Sequence, residues 1–112
     1  MSLDINFTFT TGGEVIITST IIRLLSNIAV TGSITGSAKA SDLSYKRAWD
    51  LLDKLNTHLL LPATSTSIGG IDGGGTHLTE TGRLILSTYS LMVSDTNALN
   101  ALRIDTIRGL FN

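Results

Sequence analysis

The chain has 112 residues, of which 42% are hydrophobic and 15% charged, and it contains no cysteine; this suffices for one compact domain and excludes a multidomain enzyme, a disulfide framework and a thiolate metal site. Eight Lys and Arg stand against nine Asp and Glu, a formal net charge of −1, so the total charge does not point to a polyanion partner. Apolar runs such as Leu59 to Leu61 are short beside the ~20 residues a bilayer span needs, and MSLDINFTFT has neither a basic start nor an apolar signal core. The expectation is a cytoplasmic protein with no membrane partner.

Ile5, Phe7 and Phe9 alternate with Asn6, Thr8 and Thr10, the period-two pattern of a half-buried strand. Thr11, Gly12 and Gly13 make a turn, and Val15 to Ile17 form the return strand of a hairpin. From Thr18 the period changes. Ile21, Ile22, Leu25, Ile28 and Ala29 recur at helical steps, and Gly32 supplies a C-terminal stop after Thr31. Ser33 then caps a short helix to about Ser41, Asp42 and Leu43 connect tightly, and Ser44 caps a longer helix. In that helix Tyr45, Ala48, Trp49, Leu52 and Leu55 form the expected inward stripe, with Lys46, Arg47, Asp50 and Lys54 outward. Two helices joined by so tight a turn compose a helix-turn-helix.

Pro62 ends helical structure, and Thr64 to Ile68 read as a strand leading into a loop where five of the eleven glycines, Gly69, Gly70, Gly73, Gly74 and Gly75, lie close together. Thr76 to Leu78 return as the partner strand, and Thr79 caps a final helix from Glu80 past Met92. Ile85, Tyr89 and Met92, continued by Thr96 and Leu99, repeat close to the 3.5-residue period of a two-helix seam. They are the expected dimer interface, with Leu84, Thr88 and Leu91 left to face the domain. The division that follows is a DNA-binding domain with its dimerisation helix over residues 1–95 and a helical extension over 96–112.

The stretches GSITGSAKASDLSYKRAWDLLDKLN (residues 32–56) and GGIDGGGTHLTETGRLIL (residues 69–86) resemble the N-terminal DNA-binding domain of the ModE family of molybdate-responsive transcriptional regulators. The resemblance covers roughly residues 3–95. It is most specific at Ser44, Tyr45, Lys46, Arg47, Ala48 and Trp49 and where the glycine-rich loop runs into Leu78, Thr79 and Gly82; LysR-type regulators share the general layout. It implies an α+β, mainly α, winged helix-turn-helix with an N-terminal hairpin and a long C-terminal dimerisation helix, acting as a homodimer on double-stranded operator DNA. In that family molybdate is sensed by a separate C-terminal domain, so molybdate binding is not expected on this chain, which is either a sensorless relative or part of a longer regulator.

Physical chemistry assigns roles beside the resemblance. Lys39, Lys46 and Arg47 gather three of the eight cations in the middle of the chain, with Asp42 the one acid among them. A helix N-terminus offers N–H groups to phosphates, and Arg47 has the planar fork that matches a guanine edge, while Lys46 suits a phosphate. The candidate DNA contacts are therefore Ser33, Thr35, Ser44, Tyr45, Lys46, Arg47 and Lys54, with Gly73, Gly74 and His77 from the wing. Tyr45 and Trp49, readable as stacking platforms, are expected instead in the core. Asp50 is placed to pair with the neighbouring bases.

One departure from the family pattern stands out: LPATSTSIGGIDGGGTH, where a basic wing is expected, holds no Lys or Arg. That favours a rival reading, a protein-interaction and dimerisation module that has lost DNA binding. The glycines fit no phosphate-binding loop, since Gly75 stands where such a loop needs Lys. His58, His77 and Asp72 lack metal-ligand spacing, and no nucleophile with a base can be named. No cofactor, metal or catalysis is expected.

Overall fold

The structure is a computed structural model that describes residues 3–68 and 75–112. In chain order it comprises β1 (Phe9–Thr11), β2 (Glu14–Ile17), α1 (Ser19–Thr31), α2 (Ile34–Ala40), α3 (Tyr45–His58), β3 (Thr64–Ser67), β4 (Gly75–Leu78), α4 (Glu80–Leu99) and α5 (Ala101–Arg108). It is an α+β, mainly α, winged helix in which two separate antiparallel hairpins, β1–β2 and β3–β4, flank a helical core. Among the described residues no helix is long and apolar enough to cross a membrane.

Side chains near each helix start explain where the helices begin. Thr18, Ser33, Ser44 and Thr79 each accept a hydrogen bond from the N–H three residues on, which meets one of the backbone donors that a helix start leaves open. α1 ends at Gly32 in the left-handed region, φ 69°. The β1–β2 turn needs its two glycines, since Gly12 and Gly13 have φ of 56° and 80°, as a tight hairpin whose twist matches its strands requires.

The core lies between α1, α2 and α3. Ile21, Leu24, Leu25 and Ile28 of α1 are buried, with Ala38 of α2, Ala48, Leu52 and Leu55 of α3, and Ala63. Two expectations are corrected here. Tyr45 and Trp49 are 55% and 48% exposed, because the buried stripe centres on Ala48, Leu52 and Leu55 with half-buried Leu51 and Leu59, which turns the two aromatics to the flank. The hairpin is shorter than the alternation predicts: β1 starts only at Phe9, although Ile5 and Phe7 are half-buried and Asn6 and Thr8 exposed, as the pattern requires.

The reason for that short strand also reverses the faces of α4. The Phe7 N–H donates to the Tyr89 hydroxyl at 2.9 Å, and the two rings meet edge to face with centroids 6.0 Å apart. Residues before β1 therefore pack along α4. Tyr89 is buried within the chain, Ile85 packs on the core, and Met92 lines a cleft of about 200 Å³ with Phe9, Ile17 and Thr88. The stripe expected as the seam is mostly the inward face, and Leu84 and Leu91, expected inward, are 64% and 63% exposed. α4 continues unbroken through position 95 to Leu99; Asn100 interrupts it, and α5 follows with none of its residues buried.

Candidate nucleic-acid interface

The turn between α2 and α3 is held from behind by α1. Asp42 takes a left-handed conformation, φ 56°, and the Leu43 N–H returns to the Ala38 carbonyl at 2.8 Å, closing the turn tightly. Asn27 donates to the buried Ser41 hydroxyl at 2.8 Å, and the Arg23 guanidinium donates to the Ser41 carbonyl at 3.0 Å. Buried hydroxyls are costly without partners, and here the network of Ser37, Thr31, Ser33 and Ser41 satisfies them, with Ser37 donating to the Ser33 carbonyl at 2.6 Å. Arg23 is thereby committed to positioning α3.

Ser44, Tyr45, Lys46 and Arg47 come together at the start of α3, all exposed. The Ser44 hydroxyl caps the helix by accepting from the Arg47 N–H at 3.0 Å. Lys46 pairs with Asp50 one turn on at 3.0 Å, an exposed pair worth about 0.3–0.5 kcal/mol and easily exchanged for another anion. Arg47 lines a recess with Thr18, Thr20 and Leu51, and its guanidinium makes no ion pair among the described residues. Lys54 is drawn the other way: Glu14 of β2 lies 3.8 Å from it and 3.5 Å from the His58 ring, which ties the far half of α3 to the first hairpin. Ser33 accepts from the Gly36 N–H at 2.9 Å as the α2 cap, and Thr35 beside it is exposed.

The β3–β4 hairpin pairs Thr64 with Leu78, Ser65 with His77, Thr66 with Thr76 and Ser67 with Gly75. It is anchored at both ends. The N–H of Thr76, a buried residue, donates to the Gly32 carbonyl at 2.9 Å; Asn56 of α3 accepts from the Ala63 N–H at 2.8 Å and donates to the Thr64 hydroxyl at 3.0 Å. α4 starts against the same segment, so closely that a Cβ on Gly82 would collide with the Ala63 carbonyl oxygen. The outer surface of the hairpin, Ser65, Thr66, Ser67 and Ile68, is exposed and uncharged. His77 is exposed and shares a recess with Arg83, whose guanidinium donates to the Leu78 carbonyl at 3.0 Å. Gly73 and Gly74 lie outside the described residues.

Sequence reasoning missed two features of this surface. Trp49 is exposed on the flank of α3 next to Lys46, a position that helical spacing alone does not separate from the core. Arg83 lies beside His77 at the wing base; its place in the first turns of the last helix, close behind Thr79, was the available signal.

No family model matches the chain. It is similar to a molybdenum transport protein ModE of Azotobacter vinelandii, 41% identical over 96 residues that make up 83% of this chain and 36% of that protein. It is also similar to a transcriptional regulator ModE of Yersinia pestis, 37% identical over 77% of the chain and 33% of the relative. A third relative, the DNA-binding transcriptional dual regulator ModE of Escherichia coli strain K12, is 39% identical over 63% of the chain and 27% of its own length. The chain thus spans about a third of the length of the curated relatives it matches.

Proposed function

We propose that this chain is an N-terminal domain of the ModE family and that it binds double-stranded DNA sequence-specifically as the DNA-contacting part of a transcriptional regulator. The observation that carries the reading is the start of α3, where Ser44, Tyr45, Lys46 and Arg47 are all exposed on a helix that a buried hydrogen-bond network holds in place. A helix of this kind fits the major groove, with Arg47 matching a guanine edge and Lys46 leaving Asp50 for a phosphate. Lys39, Thr35 and Ser33 lie on the adjoining helix within reach of the same DNA backbone, and His77 and Arg83 are the wing-side donors. The Yersinia pestis and Escherichia coli relatives carry names of transcriptional regulators and not of enzymes, in line with a protein that performs no chemistry.

The domain acts as a homodimer through the outward face of α4, where Leu84 and Leu91 stand one heptad apart with Thr88 between them. Dimerisation compensates for the few cations each copy offers. Leu84→Glu combined with Leu91→Glu yields monomers in light scattering; a dimer surviving both changes places the seam elsewhere. DNA binding is tested by selecting duplexes from a random pool and titrating the winners. Binding that loses about 0.9 log units per decade of salt for each phosphate contact supports the reading, and failure to enrich any sequence removes it. A second reading, a protein-interaction module, rests on a wing without Lys or Arg and on Ile68, 98% exposed beside β3; retention of a protein partner with no duplex selected would favour it.

A further inference from the structure

Tyr45 and Trp49 are four residues apart and so lie on one stripe of α3, next to the row that carries Lys46 and Asp50. Both are about half exposed, and neither the Trp49 indole N–H nor the Tyr45 hydroxyl makes a hydrogen bond among the described residues. A large aromatic left in water on a helix whose buried stripe is already complete with Ala48, Leu52 and Leu55 is not needed to close the core. It is instead an apolar surface set among charges, and the face it shares is the one the reading above presents to duplex DNA.

The major groove offers donors and acceptors at every base pair but one kind of apolar projection, the 5-methyl group of thymine. The cations of this surface cannot recognise that group, and neither can Asp50. We propose that Trp49, flanked by Tyr45, is a specificity-determining residue that reads thymine by covering its 5-methyl group; the proposal rests on the preceding reading that α3 enters the major groove. Trp49 neutralises no phosphate, so its contribution is to sequence choice and not to the electrostatic part of binding. Lys46 and Arg47 bring the helix to the duplex, and the indole then discriminates among the base pairs beneath it.

The test uses the full chain and duplexes that it selects from a random pool, made either with thymine or with deoxyuridine throughout, which keeps every hydrogen-bonding group and removes only the methyls. For the natural chain, each methyl that Trp49 covers weakens binding about fourfold when it is removed. Trp49→Ala binds the two duplexes alike with the salt dependence of the natural chain, and Trp49→Phe keeps part of the preference; circular dichroism melting confirms that each variant is folded. Because Trp49 is the one tryptophan, its emission in the natural chain shifts to the blue with the thymine duplex and less with the uracil duplex, which needs no variant at all. Duplexes selected without any difference between thymine and uracil, a preference that survives in Trp49→Ala, or a larger emission change with the corresponding single strand would overturn the proposal while leaving duplex binding intact. Failure to select any duplex would instead defeat the underlying reading, and this proposal with it.

Discussion

The helix-turn-helix and the β3–β4 wing are anchored to the core by the same kind of bond and expose opposite surfaces. Arg23 and Asn27 hold the α2–α3 turn through Ser41, and Asn56 and Gly32 hold the wing through Ala63, Thr64 and Thr76. Outward, α3 offers Lys46, Arg47, Tyr45 and Trp49, whereas the described part of the wing offers hydroxyls, Ile68 and His77. Similar anchoring with unequal charge means that position and affinity are separable: on the proposed reading the wing sits beside the DNA and the helix holds it. If the domain binds DNA as proposed, the electrostatic contribution belongs to α3.

The sharpest way to break the comparison is at the joint that both regions share. Gly82→Val forces a side chain into the Ala63 carbonyl and should cost about 3 kcal/mol or more, read as a large fall in the thermal midpoint, because backbone and not a flexible side chain stands in the way. Asn56→Ala removes the two bonds that couple α3 to the wing strand and leaves the Ala63 N–H unpaired, a cost of about 1–3 kcal/mol by denaturant unfolding. Double replacement of Lys46 and Arg47 by Ala should leave the fold intact, weaken duplex binding, reduce the salt slope by about 0.9 log units, the share of the Lys46 phosphate contact, and relax the sequence preference that Arg47 supplies. In the opposite direction, Thr66→Lys adds a cation to a wing that has no Lys or Arg and should steepen the salt slope by up to about 0.9 log units. The smallest effect is expected from Asp50→Asn: it frees Lys46 from an exposed pair, and the few tenths of a kcal/mol involved should give a slight gain in affinity in the same titration.

Much of the frame was legible because it depends on local chemistry. Ser33, Ser44 and Thr79 were readable as caps, since a hydroxyl before an apolar period satisfies backbone donors wherever the rest of the chain goes. The two faces of α4 were not, because Ile85–Tyr89–Met92 and Leu84–Thr88–Leu91 have equally good spacing. What separates them is Phe7, more than eighty residues earlier, whose N–H meets Tyr89. Trp49 failed for a related reason: helical phase fixes a side chain to within a flank, and whether that flank is covered depends on how α1 and α2 approach Ala48. Lys54 likewise looked like part of the outward basic row until β2 brought Glu14 beside it.

The most direct test of where binding energy resides is to record amide chemical shifts of the isotope-labelled chain as a selected duplex is added. The account predicts the largest changes from Ser44 to Asp50, smaller ones at Ser33, Thr35 and His77, and little along β3. Changes that concentrate in β3 and β4 while the start of α3 stays still would contradict it.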